Sequence, residues 1–99
     1  MTDDAADASI GALRRTLPIG NKRGLHARAA AKFVRTAGQF DALVRVSFKG
    51  QEVSGLSIMG LMMLAAGIGS TIELSCSGKQ ATEAMAALSA LVEGKFGEE

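Results

Sequence analysis

No stretch of this chain keeps one apolar period for long, and that restricts its fold more than any other feature. Residues 13–19 alternate loosely, with Leu13, Arg15, Leu17 and Ile19 on one side. Pro18 lies inside that run and argues for a strand at a sheet edge. After a loop over residues 20–25 the period lengthens. Ala30, Phe33, Val34 and Ala37 then form one stripe at helical spacing, predicting a helix over 27–37 that Gly38 closes. Alternation returns at 42–49, with Val44, Val46 and Phe48 facing one way and Arg45, Ser47 and Lys49 the other. Lys49-Gly50-Gln51 reads as a hairpin turn into a short strand at 52–54. Ser57 is an N-cap for a second helix over 58–66, closed by Gly67 and Gly69. A strand follows at 71–77 with Ile72, Leu74 and Cys76 inward. Gly78 and Lys79 turn the chain into a last helix over 80–92, whose Ala81, Ala84, Met85, Leu88, Leu91 and Val92 face the core. The order is β-α-β-β-α-β-α. In so short a chain this predicts an α+β open-faced β-sandwich, with a four-stranded, mostly antiparallel sheet and three helices on one face.

The 99 residues make one domain, expected over 13–99, behind an acidic and mobile tail at 1–12. A domain of this size has little room for a deep pocket, so its chemistry belongs at the surface. The longest nearly apolar stretch, residues 60–68, is too short to cross a bilayer. The N-terminus has neither a basic nor an apolar signal region, which predicts a cytoplasmic protein without membrane contacts. The single cysteine, Cys76, falls in a strand pattern and reads as a small buried hydrophobe. One histidine and one cysteine cannot build a zinc site, so no metal is expected. No glycine-rich nucleotide loop of a known pattern is present, and no cofactor is expected.

Charge is nearly balanced in sum but uneven in place. Nine of the 11 lysines and arginines lie between Arg14 and Lys49, where Asp41 is the only acid. Such a segment attracts phosphate groups or acidic partner surfaces. The absence of Trp and Tyr, with only four Phe, speaks against a nucleic-acid binder built on base stacking.

The only histidine, His26, stands in this basic segment where a loop becomes a helix. The first N–H groups of a helix lack internal partners and form the positive end of its dipole. A phosphate near that end finds donors ready, and the Arg28 guanidinium offers a planar fork beside them. Small residues at Ala27, Ala29, Ala30 and Ala31 would leave this end open. An unperturbed imidazole, with a pKa of about 6.5, is largely neutral at pH 7 and keeps a lone pair for attack. A general base would need a substrate pocket and a partner, and a metal ligand would need further ligands. On these residues alone, a phosphoryl acceptor and a capping histidine without chemistry stand equal. A second feature is the apolar run after Ser57. Ile58, Met59, Leu61, Met62 and Met63 cannot all face the core of one short helix; some of them are expected to form a partner-binding patch, with Ile58, Met59, Leu61 and Met62 as the candidates, which Gly60 lets a partner approach.

The segment NKRGLHARAAAKF resembles the active-site segment of the histidine-containing phosphocarrier proteins, HPr, of the bacterial phosphoenolpyruvate-dependent phosphotransferase system. SGLSIMGLMMLAAGIGSTIELSCSG resembles the second signature of that family, and together the likeness spans residues 13–92. The resemblance implies that His26 accepts phosphate on Nδ1 from enzyme I and donates it to IIA-type proteins. It implies that Arg28 assists the phosphate, and that Ser57 matches a serine modified in some relatives by HPr kinase/phosphorylase. A monomeric carrier without turnover of its own follows. The ending ALVEGKFGEE and the NK-x-G-x-HAR spelling look somewhat like the nitrogen-related branch, in which phosphorylation would control partner enzymes rather than sugar uptake, while SIMG looks more like the sugar or kinase-regulated branch. Ala29 stands where the family generally has proline.

Overall fold

The structure is a computed structural model that describes residues 12–98. The tail expected at 1–12 therefore lies outside the described residues but for Ala12. Strand β1 (Leu13–Pro18) leads to helix α1 (Ala27–Ala37), then β2 (Leu43–Phe48), β3 (Gln51–Ser54), helix α2 (Ile58–Leu64), β4 (Thr71–Ser77) and helix α3 (Ala81–Glu93). A short turn at Lys95–Gly97 ends the described chain. The strand order is β1-β4-β2-β3 and every pair is antiparallel. Pro18 thus stands on an edge strand, where a missing N–H costs no ladder bond.

Alternation sorts the sheet into two faces. Leu17, Val44, Val46, Ile72, Leu74 and Cys76 point inward and join Phe33 of α1, Leu61 and Leu64 of α2, and Ala84, Leu88 and Val92 of α3 in one core. Burial pushes the Cys76 thiol pKa up, which keeps it protonated and inert. On the other face Arg14 meets Glu73 at 3.6 Å and Arg45 meets Glu52 at 4.0 Å. Arg15 turns to the helix side and reaches Glu93 of α3 at 3.3 Å. Exposed pairs like these are worth about 0–1 kcal/mol. Their larger effect is on the field. Among the described residues, Glu73, Glu93 and Glu52 from the second half of the sequence pair with three of the nine cations of the basic segment, and Lys22 and Arg23 of the loop before α1 are not among those three.

The β2–β3 connection is a two-residue turn in which Lys49 (φ 50°) and Gly50 (φ 82°) are both left-handed. That backbone matches the right-handed twist of the flanking strands. The first helix ends where expected and the second does not. Gly38 closes α1 with an ordinary right-handed backbone (φ −69°), so its glycine freedom is unused. Helix α2 stops at Leu64 rather than Ala66, because Ala65 takes the left-handed conformation (φ 57°) in place of the following glycines.

Candidate functional site

The loop before α1 is clamped at both ends. Gly24 N–H donates to the Asn21 carbonyl at 3.2 Å, and Asn21 Nδ2 returns a bond to the Gly24 carbonyl at 2.9 Å. Leu25 N–H then donates to the Ala66 carbonyl at 3.0 Å, tying the loop to the segment after α2. Gly24 is left-handed (φ +60°), and a Cβ there would overlap the Ala66 carbonyl and lie 2.7 Å from Gly67 Cα. Only glycine meets both demands.

This clamp sets His26 as the N-cap of α1, with extended backbone (φ −78°, ψ 179°). The ring makes no capping bond; the helix ladder instead begins with Ala30 N–H on the His26 carbonyl at 2.8 Å. The backbone N–H groups of Ala27, Arg28 and Ala29 precede that first bond and are left to the helix end. The imidazole turns toward the chain's far end. Its Nε2 lies 2.7 Å from Glu98 Oε2, and both side chains are only 16% exposed. Asn21 Nδ2 also donates to Glu98 Oε1 at 3.1 Å. Burial by itself would raise the Glu98 pKa. The hydrogen bonds from Asn21 and His26, with the charges of His26 and Lys32, outweigh it and hold the carboxyl below its ordinary range.

An open cleft shares Glu98 with this contact, and Lys22, Arg23 and Arg28 form the rest of its lining. Among the described residues the arrangement offers an imidazole engaged at one nitrogen only, helix-end donors, and three cations beside them. Its chemistry suits a phosphoryl group taken up by the other ring nitrogen. Among the described residues no group of acids, histidine and cysteine is placed to hold a metal ion.

The family described as PTS HPr component phosphorylation site matches residues 13–94. The chain belongs to the HPr family. The phosphocarrier protein HPr of Cupriavidus necator is 54% identical over 86 residues, covering 87% of this chain and 97% of that protein. The phosphocarrier protein NPr of Shewanella violacea is 44% identical, covering 87% and 94% respectively. The crystal structure of HPr-C-His from Thermoanaerobacter tengcongensis superposes with a TM-score of 0.84 at 45% identity, covering 88% of this chain and 98% of that one. This HPr-type protein is therefore a phosphoryl carrier of the phosphotransferase system, not an enzyme with turnover of its own.

The residues singled out by sequence fall into three groups. His26 and Arg28 are brought together at the head of α1, with Arg28 exposed on the cleft. Ala29 and Ala30 do not border an open surface; both are fully buried in the core. Around α2, Ile58, Met59 and Met62 are exposed. Leu61 is not: it is fully buried, so it fills the core and cannot line a docking surface. Its place on the exposed side goes to Met63, at 72% exposure the most open residue of the helix, with Leu56 and Ile68 at its two ends. Gly60 faces inward, where a Cβ would meet Ser57 Oγ at 3.0 Å and Val53 Cβ at 3.1 Å, so it serves packing within the chain. Ser57 caps α2, its Oγ accepting from Gly60 N–H at 2.9 Å. Asn21 and Glu98 were missed. Asn21 carried a faint signal, an Asx residue three places before a glycine. Glu98 carried none.

Proposed function

We propose that His26 is the phosphoryl acceptor of this carrier, taking phosphate on Nδ1 from enzyme I and passing it to IIA-type proteins in the cytoplasm. The observation that carries this reading is the engagement of Nε2 by Glu98 beside a cleft of three cations, which leaves Nδ1 as the available nitrogen. Arg28 steadies the phosphate oxygens through its planar fork. Ile58, Met59 and Met62 form the docking surface for donor and acceptor, joined by Met63. Methionine suits a surface that meets several partners, because its flexible thioether chain adapts to each. The tie between Leu25 and Ala66 supports this, since it holds the end of α2 against the loop that carries His26.

Ser57 serves as a regulatory phosphorylation site for HPr kinase/phosphorylase. A phosphate there would add about two negative charges beside the apolar surface. It would weaken docking without unfolding the domain.

The test is direct. The protein is mixed with phosphoenolpyruvate and enzyme I, and an acid-labile phosphate is sought. The wild type is labelled and His26→Ala is not. Labelling that survives His26→Ala would remove the reading.

A further inference from the structure

The chain beyond α3 adopts a shape that its local sequence does not favour. Lys95 (φ 59°), Phe96 (φ 56°) and Gly97 (φ 74°) are left-handed in succession, and two of them are not glycine. Such backbone persists only where tertiary contacts impose it. Here they do. Phe96 is 1% exposed in the core, and Lys32 Nζ donates to its carbonyl at 2.7 Å. The Lys95 stem lies against Gly20. Glu98 N–H closes the turn on the Lys95 carbonyl at 2.9 Å. The product of this strap is the placement of one carboxylate, with Oε2 on His26 Nε2 at 2.7 Å and Oε1 under Asn21 Nδ2 at 3.1 Å.

An ionised carboxylate can only accept hydrogen bonds. A neutral ring that bonds to it through Nε2 must carry its hydrogen there, and its lone pair is then at Nδ1. We infer that Glu98 is a positioning residue for phosphoryl uptake: it fixes the Nε2–H tautomer and the ring orientation, so that Nδ1 faces the incoming phosphoryl group. This rests on His26 being the acceptor. In the transfer, the Nδ1 lone pair forms the new N–P bond. The bond from phosphorus to the donor atom of phosphorylated enzyme I breaks, and its electron pair stays with that atom. His26 keeps its hydrogen on Nε2, so its ring becomes cationic, and the Glu98 carboxylate faces the charge that appears. Asn21 in turn holds Glu98. The logic is that of an acid orienting a histidine from behind, here carried by the last turn of the chain.

The test compares wild type with Glu98→Ala in two measurements. In the first, ring nitrogen-15 shifts are recorded at a pH where His26 is neutral. The wild type shows the Nε2–H pattern, and Glu98→Ala moves toward a mixture of the two tautomers. In the second, phosphoryl uptake from phosphorylated enzyme I is timed. Uptake by Glu98→Ala is about tenfold slower, the scale of one lost charge-assisted hydrogen bond. Unchanged ring shifts, or uptake at the wild-type rate, would overturn the inference. The first measurement needs no phosphate, so it judges Glu98 separately from the acceptor reading, which His26→Ala decides.

Discussion

Ala29 is the third residue of α1, and its N–H precedes the first ladder bond, which Ala30 makes to the His26 carbonyl. Proline, the family's usual residue by resemblance, would remove a donor from the phosphate end without removing a helix bond. Ala29→Pro is therefore expected to fold with a stability change within about 1 kcal/mol. It should also shorten the lifetime of the phosphorylated form by about twofold to tenfold, the worth of one hydrogen bond. Urea melts and the decay of acid-labile phosphate read the two effects separately. The role proposed for Arg28 is different, a fork of donors on a flexible side chain. Arg28→Lys keeps the charge and loses the fork, so it should slow uptake part of the way toward Arg28→Ala in the same enzyme I assay. The place of these residues at a helix start was legible from residue type and spacing, whereas the roles proposed for them came from the family resemblance. Glu98 was not legible, because what makes it matter is a contact across 72 residues of sequence.

Helix α2 shows where local reading stops working. Its start was plain: Ser57 is an extended residue whose hydroxyl accepts from Gly60 N–H, three places on. Ser57→Ala should cost about 1 kcal/mol in urea denaturation. Ser57→Asp should keep the cap and the stability but slow transfer from enzyme I, and equal transfer rates would count against a regulatory role. The end was misread because Gly67 and Gly69 looked like the natural stop. The chain leaves the helix earlier, since Leu64 is the last residue of α2 with a side chain in the core and the Ala66 carbonyl is taken by Leu25 N–H. Ala65 then bears a left-handed backbone that disfavours any residue with a Cβ by about 1–2 kcal/mol. Glycine would lift that strain but lose more chain entropy on folding, by about 0.5–1 kcal/mol. Ala65→Gly should therefore stabilise the protein by about 0.5 kcal/mol, seen as a higher urea midpoint. Helix α1 was read to its true ends because its stripe of Ala30, Phe33 and Ala37 is buried on the core side. The turn at Lys95–Gly97 has no period at all. A lone phenylalanine among glycines and charges gives no sign that the core will take it, and its backbone runs against propensity.

At the scale of the molecule, that last turn couples the C-terminal end of the described chain to the site through one carboxylate, and the coupling depends on pH. Glu98 is pulled upward by burial and downward by the Asn21 and His26 hydrogen bonds and by the charges of His26 and Lys32, with a net lowering. The cations Lys22, Arg23 and Arg28 share its cleft. Its folded pKa lies below the unfolded value of about 4.3, so the unfolded chain takes up the proton first as pH falls. The stabilisation is complete above that value and is lost as pH falls through the folded pKa. Protonation leaves the carboxyl a poorer acceptor for both Asn21 and the ring, while Phe96 still anchors the turn in the core. Acid should therefore loosen the end of the strap before it loosens the sheet. Hydrogen exchange at the Gly97 and Glu98 amides should quicken as pH falls below the ordinary carboxylate range, relative to the intrinsic rate, while β4 amides stay protected. Exchange that accelerates at both together would mean that the strap has no separate opening. Near neutral pH the same displacement has the opposite consequence. Glu98 stays ionised throughout, so the acceptor facing Nε2 is constant. Phosphoryl uptake measured from about pH 5.5 to pH 8 should then show no step from this carboxylate, and Glu98→Ala should lower the whole profile without adding or removing an inflection.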